Sequence, residues 1–356
     1  MGRPTVARID LDALRANFQL ACNKAGGAEA MAVVKSDGYG HGLSAVAAAL
    51  SATAKKYAVA CMEEAQTIRG AGMSQPVALL QGTHSPGDVA VCAERGFEPV
   101  VHCQQQIDWV LESAQRPAVW VKVNTGMNRL GFRPAELGEA MASLQGAGVT
   151  VLGFVTHFAC ADDLNAIMTD TQTRVFEHAV APWPSLMRSV ANSAAHFRPG
   201  QPMYDWSRPG IMLYGGSPMI GKLGPELGLK PVMTLQAPLT ATRTVQPGES
   251  VGYGAAWVAE QPTRMGMVAI GYGDGYPRHA GTGTPAAING QRIRLLGRVS
   301  MDMLAVDLTN APAAAEGDMV ELWGPTVSVD EVAARAGTIG YELLTGVTAR
   351  VPRLWS

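Results

Sequence analysis

Short apolar runs that close on polar or glycine-rich segments recur through the first two-thirds of the chain, at 31–34, 57–61, 77–80, 99–102, 118–123, 151–156, 187–190 and 210–214. Between most of them lie amphipathic stretches of helical period, such as 104–112 and 134–145. About eight strand–helix repeats is the pattern of a (β/α)₈ barrel, which typically takes ~250 residues. An open doubly wound sheet is the alternative reading of the same alternation. Ahead of the first run, residues 6–9 read as a strand and Asp10 as the N-cap of a helix reaching about Asn23. Beyond about Lys230 the texture changes to short β-rich segments, at 232–235, 239–245, 265–270, 286–288, 292–296, 304–307 and 319–322, separated by Pro, Gly, Asp and Asn turns. One short helix is expected at 330–336.

These patterns predict an α/β protein with an N-terminal (β/α)₈ TIM-type barrel over residues 1–230 and a C-terminal predominantly β domain over 231–356. Residues 1–10 are candidates to pair with the C-terminal domain. Composition agrees with a large folded core: 356 residues are 47% hydrophobic and only 16% charged. The formal charge of −2 argues against nucleic acid as the main partner. Five cysteines, odd in number and without a C-x-x-C pair, read as reduced residues of a cytoplasmic protein, with no metal site. The N-terminal residues lack the pattern of a secretory signal, and no apolar stretch is long enough to span a membrane.

In a barrel of this kind the C-terminal ends of the strands make the active site, so polar residues that close the apolar runs are candidates for chemistry. Lys35, His157, Asn192 and Ser193 follow such runs, Arg208 precedes Pro209 and Gly210, and Lys122 lies inside one. A lysine at the end of a buried strand is desolvated, which frees its amine to attack a carbonyl. An isolated lysine would more often snorkel to the rim, but Lys35 leads into Ser36-Asp37-Gly38-Tyr39-Gly40-His41-Gly42. That loop is costly to order without a ligand.

The string from Lys35 to Gly42 resembles the pyridoxal-phosphate lysine motif of alanine racemases. The segment Lys122-Val123-Asn124-Thr125-Gly126-Met127-Asn128-Arg129-Leu130-Gly131 resembles another signature of that family, with Asn124 where an Asp is usual. Further matches follow in family order at Thr156-His157, Asn192-Ser193, Arg208-Pro209-Gly210-Ile211, Gly252-Tyr253-Gly254, Gly271 to Arg278, Gly297 to Asp302, Tyr341 and Arg350 to Arg353. The resemblance covers essentially the whole chain.

It implies an isomerase that interconverts L- and D-alanine by a two-base mechanism on a pyridoxal 5'-phosphate aldimine. Lys35 would hold the cofactor and act as one base, and Tyr253, from the partner subunit of a homodimer, as the other. Tyr39, Ser193, Gly210 and Ile211 would hold the phosphate. Asn192, His157 and Tyr341 would also contact the cofactor, His157 packing against its ring and Arg208 facing its pyridine nitrogen. Arg129 and the Met301 amide would hold the substrate carboxylate, and Lys122 would be N-carboxylated beside Arg129. Tyr272, Arg278, Arg298, Asp302 and Ile339 would line or support the substrate corridor at the dimer interface. The family's histidine next to the pyridine arginine falls at Ser189, which breaks the usual histidine–arginine relay. The alternatives are a broad-specificity amino-acid racemase, a barrel-type pyridoxal-phosphate amino-acid decarboxylase and a non-enzymatic binder of the same cofactor. None of these calls for a membrane or nucleic-acid partner.

Overall fold

The computed structural model describes residues 3–356. Strand β1 (Val6–Ile9) leads into the helix Leu11–Lys24, whose first turn is capped by Asp10 Oδ1 accepting from the Ala13 N–H at 2.8 Å. Eight parallel strands follow: β2 (Glu29–Val33), β3 (Lys56–Val59), β4 (Val77–Leu79), β5 (Phe97–Val101), β6 (Val119–Lys122), β7 (Val151–Val155), β8 (Met187–Ser189) and β9 (Trp206–Ser207). Neighbours pair in chain order from β2 to β8, and β9 pairs back onto β2. Two backbone bonds tie the ends of β9 to β8 and the residues after it, Asp205 N–H to Arg188 O at 3.1 Å and Arg208 N–H to Ala191 O at 2.8 Å. The sheet thus closes into a barrel. Its strands are apolar along most of their length because one face meets the barrel interior and the other the surrounding helices.

The first seven apolar runs coincide with β2 to β8, but the eighth does not. The segment 210–214 was expected as a strand; it is instead a short 3₁₀ turn, Ile211–Tyr214, and the eighth strand is the less apolar Trp206–Ser207 just before it. All four residues of that turn are buried, and a short buried run has no period that separates strand from helix. Pro209 and Gly210 interrupt the strand between the two.

The C-terminal strands are β10 (Met233–Val245), β11 (Ser250–Val251), β12 (Trp257–Val258), β13 (Thr263–Val268), β14 (Pro285–Ile288), β15 (Gln291–Leu296), β16 (Leu304–Asp307), β17 (Met319–Trp323) and β18 (Arg353–Trp355). Two expected strands, 232–235 and 239–245, are one long β10, with register shifts at Leu235/Gln236 and Leu239/Ala241 around Pro238. Strands β10, β13, β16, β15, β14 and β17 pair in a closed ring. β1 adds to this ring antiparallel to β10, and β18 adds parallel to β1. The helix Val329–Ala336 matches the expected one, and a second helix, Gly340–Gly346, turns toward the barrel. The hairpin β11–β12, β18 and this second helix were not foreseen. Among the described residues, no helix is long and apolar enough to cross a membrane.

At the N-terminal end of the barrel, Lys56 opens β3 and is buried. Its ammonium bonds Glu98 Oε2 at 2.5 Å and lies 5.1 Å and 4.8 Å from the ring centres of Trp120 and Trp206. Trp120 Nε1 donates to the same carboxylate oxygen at 2.8 Å. Removing one partner of a buried pair leaves an uncompensated charge, a loss of about 3–5 kcal/mol. Glu98→Ala should lower the unfolding free energy by about that amount in urea titration, and the double substitution Lys56→Met with Glu98→Leu by much less. Equal losses for the two proteins would show that the pair is not what secures this end.

Candidate active site

Because the barrel strands are parallel, all their C-terminal ends open on one side, and the polar residues that close them meet there. Lys35 follows β2 after Val34, Lys122 ends β6, His157 lies just beyond β7, Asn192 and Ser193 beyond β8, and Arg208 immediately after β9. Together with Tyr39, Arg129, Gly210, Ile211 and, from the C-terminal segment, Ile339 and Tyr341, they line one cavity of about 1050 Å³. The same cavity extends over the ends of β3, β4 and β5, where Ala60, Gln81, His84, His102 and Trp109 line it. The strand-end rule applied to those runs would have found Gln81 and His102, but not the apolar Ala60 or Trp109, which lies within the helix Gln104–Glu112.

The loop after Lys35 is a turn of left-handed helix: Ser36, Asp37, Gly38 and Tyr39 have φ of 54°, 53°, 60° and 52°. Left-handed backbone costs an L-residue with a Cβ about 1–2 kcal/mol. Three such residues, Ser36, Asp37 and Tyr39, within four positions persist only where their surroundings over-determine them. The turn places Lys35 and Tyr39 on the same cavity wall.

Tyr39 is buried, its ring stacked on Tyr214 at 4.6 Å and tilted against Tyr341 at 6.2 Å. Burial, and then the charge of Glu64, push its hydroxyl well above the ordinary tyrosine range, so it stays a neutral donor. Ser193 Oγ accepts from Gly210 N–H at 2.7 Å. A Cβ on Gly210 would sit 2.4 Å from the Tyr39 hydroxyl oxygen and 3.8 Å from Ser193 Oγ, so glycine alone lets these groups converge. Two hydroxyls and the backbone amides opening the 211–214 turn form a cradle of neutral donors, the chemistry that suits a dianion.

Arg208 is buried, and both of its Nη atoms donate to oxygen acceptors. Nη1 donates to Ser189 Oγ, and Nη2 to Thr156 O at 2.5 Å and Val190 O at 3.3 Å. Ser189 Oγ in turn donates to Trp206 O at 2.7 Å, so at this position a saturated hydroxyl ties β8 to β9 and supports the arginine. Burial pulls Arg208 down to about 10, which still leaves it charged at neutral pH.

The other titratable groups feel this cluster. Burial first, then the charges of Arg208, Lys122, Arg129 and Lys35, hold His157 neutral, well below the ordinary histidine value. Lys35 is lowered by burial and by Arg129, with Glu64 opposing. Lys122 falls to about 8 through burial first and then Arg208, Arg129 and Lys35. Asn124 does not supply the charge that an Asp would. Its Oδ1 accepts from the Gly126 and Asn128 amides, both at 3.1 Å, and shapes the loop that carries Arg129. Sequence reasoning missed Gln172, which bonds Thr125 Oγ1 at 3.0 Å, His157 O at 2.9 Å and Ala159 N at 2.9 Å, and so fixes the loop behind His157. A glutamine inside an amphipathic helix carries no signal of this kind.

Tyr253, Tyr272, Arg278, Arg298, Met301 and Asp302 do not line the cavity. Most of them gather instead on an outer face of the C-terminal sheet. The Tyr272 and Gly273 amides bond Ser300 O at 3.0 Å and Met301 O at 2.9 Å, and Arg350 Nη2 bonds Asp302 Oδ1 at 2.7 Å. Arg298 packs on Gly254, where a Cβ would lie 3.0 Å from Nη1. Tyr253 caps this face on the β11–β12 hairpin and is 70% exposed, and Arg278 is exposed as well. Among the described residues no cluster of His, Cys, Asp and Glu could hold a metal ion.

The lowered Lys122 gives a signed pH dependence. Below about pH 8 both folded and unfolded chains bind its proton, and the cost of burying the charge is fully present. Between there and the ordinary lysine value of ~10.4 the unfolded chain binds more protons, so stability rises with pH. In ligand-free, CO₂-free buffer, Lys122→Met should therefore melt higher than the unsubstituted protein by a margin that is widest near pH 7 and narrows toward pH 10. A margin independent of pH would refute a buried amine at this position.

Comparison with known proteins agrees with this geometry. Residues 9–218 match the model of the alanine racemase N-terminal domain and residues 232–355 that of the alanine racemase C-terminal domain. The chain is 71% identical to the alanine racemase of Marinobacter nauticus, over 99% of both chains. Its structure superposes on that of the biosynthetic alanine racemase of Pseudomonas aeruginosa with a TM-score of 0.96 at 47% identity, covering 100% of both chains. It superposes on the Bacillus anthracis alanine racemase solved with bound L-Ala-P with a TM-score of 0.86 at 30% identity, covering 100% of this chain and 96% of that one. With both domain models matched in order and relatives aligned end to end, the chain belongs to the alanine racemase family.

Proposed function

We propose that the protein is a homodimeric, pyridoxal-phosphate-dependent isomerase that interconverts L- and D-alanine, with Lys35 of one subunit and Tyr253 of the partner subunit as its two bases. The observation that carries this reading is the convergence, in one cavity, of a strand-end lysine, a cradle of neutral donors and a charged buried arginine. These residues fit the cofactor. Tyr39, Ser193 and the amides of Gly210 and Ile211 suit its phosphate, Asn192, His157 and Tyr341 lie where they can flank it, and Lys35 offers the amine. When bound, pyridoxal phosphate supplies a carbonyl for amine attachment and a ring that takes up electron density as the Cα proton leaves.

Arg208 remains charged, so it can donate a hydrogen bond to the ring nitrogen without giving up a proton. That restrains electron withdrawal and favours returning the proton to Cα. Racemisation requires removal of the Cα proton on one face and delivery on the other. Lys35 Nζ, lowered by burial and by Arg129, moves the proton on its side, and the hydroxyl of the partner's Tyr253 moves it on the other. Arg129 and the Met301 amide hold the substrate carboxylate, Met301 coming from the partner subunit with Tyr253. A carbamate on Lys122 would turn a repelled neighbour of Arg129 into its anchor. Tyr272, Arg278, Arg298, Asp302 and Ile339 narrow the approach, leaving room for a methyl side chain. Support for the dimer comes from the exposed apolar residues Tyr253, Val258, Met301, Met303 and Ile339, which a second copy would cover.

The decisive measurement is loss of optical rotation of L-alanine by the cofactor-loaded protein. Lys35→Ala should abolish it and Tyr253→Phe should reduce it severely, while release of CO₂ would sink the racemase reading. Mixing the two inactive variants tests the composite site: random hybrids hold one intact site in half of the dimers, so about a quarter of the unsubstituted activity should return. No recovery would place both bases on one chain. Arg208→Glu should raise conversion of alanine to pyruvate relative to racemisation, and an unchanged ratio would overturn the role given to the arginine.

A further inference from the structure

The turn after Lys35 is held at several points beyond Ser36. Gly38 N–H donates to Val34 O at 2.9 Å, Gly42 N–H to Asp37 O at 2.9 Å, and Asp37 Oδ1 accepts from Leu43 N–H at 2.7 Å. His41 Nδ1 reaches Gly38 O at 3.0 Å and Tyr39 O at 2.8 Å. From the end of the chain, Arg353 Nε donates to Gly40 O at 3.1 Å and Trp355 Nε1 to His41 O at 2.8 Å. All of these bonds act on Asp37 or on later residues of the loop, or on the strand before it.

The amide next to the lysine has a different partner. Ser36 N–H donates to Glu64 Oε1 at 2.6 Å, and the other oxygen of that carboxylate accepts from Ala60 N–H at 2.8 Å. Glu64 belongs to the helix Met62–Gly70, and Ala60 directly follows β3, the parallel neighbour of β2. One carboxylate thus bridges two amides at the ends of adjacent strands. Both partners are donors, so the bridge requires a group that accepts on both atoms. A glutamine would point its NH₂ at one of the two N–H groups. Glu64 is also the acid that acts electrostatically on Lys35, against the positive charge of Arg129.

We propose that Glu64 is a positioning residue: its carboxylate locks the first residue of the left-handed turn to the end of β3 and so sets the direction in which Lys35 leaves its strand. The consequence for turnover rests on Lys35 being the lysine that carries the cofactor. The lock itself is a property of the chain alone.

The test compares Glu64→Gln and Glu64→Ala with Glu63→Gln, which removes an exposed carboxylate from the same helix. Amide hydrogen exchange of the cofactor-free protein reports on the segment 36–42, and kcat and KM for L-alanine are measured on the loaded enzyme. Both Glu64 variants should speed exchange of that segment about tenfold or more, because a charge-assisted hydrogen bond is lost, with the rest of the barrel unchanged. kcat should fall about 10–100-fold with KM altered less than about threefold, as a displaced reacting group predicts. Glu63→Gln should match the unsubstituted protein in both readouts. Unchanged exchange of 36–42 in Glu64→Ala, faster exchange spread over the whole barrel, or a Glu64→Gln protein indistinguishable from the unsubstituted one would each overturn the proposal. If the unsubstituted protein failed to racemise alanine, the exchange data would still decide the lock.

Discussion

A guanidinium buried without an acid beside it is the constraint on which the barrel mouth depends. Arg208 has no carboxylate partner among the described residues; burial alone shifts it, and its N–H groups end on Ser189 Oγ, Thr156 O and Val190 O. A buried charge is tolerated only when its donors find acceptors, so the ends of β7, β8 and β9 must hold those oxygens in place. The backbone amide of the same residue bonds Ala191 O and helps close the barrel. Closure of the fold and placement of the charge are therefore one arrangement.

The missing acid also fixes the character of the cavity. Lys35, Lys122 and Arg129 add to Arg208, and their mutual repulsion on top of burial lowers Lys122 to about 8 and keeps His157 neutral. Such a cluster is unfavourable in an empty site and favourable around anions. Glu64 is an exception to this excess of cations: from the foot of the lysine turn it accepts from the Ser36 and Ala60 amides and acts electrostatically on Lys35 and Tyr39.

Much of this was legible in the chain. Strands β2 to β8 followed the apolar runs because a strand buried on both faces needs an unbroken run, and Lys35, Lys122, His157 and Asn192 stood out because polar residues end those runs. The same rule failed at β9, where the apolar residues belong to the 211–214 turn beneath the cavity and the strand itself is only two residues long. It also missed Glu64 and Gln172, whose importance lies in the backbone amides and carbonyls they reach, and those partners are distant in sequence. The residues from Tyr253 to Asp302 were recognised by family pattern, yet within one chain they lie on an outer face away from Lys35.

By itself, then, the sequence determined strands β2 to β8 and the polar side chains that close most of them at the barrel mouth, because the hydrophobic period is a local property of a chain. Only the tertiary structure decided how the ring closes, that Ser36 to Tyr39 run left-handed, and that Ser189 supports Arg208. Those features arise where backbone groups far apart in the chain must satisfy one another, and no local pattern records which distant carbonyl or carboxylate will be the partner.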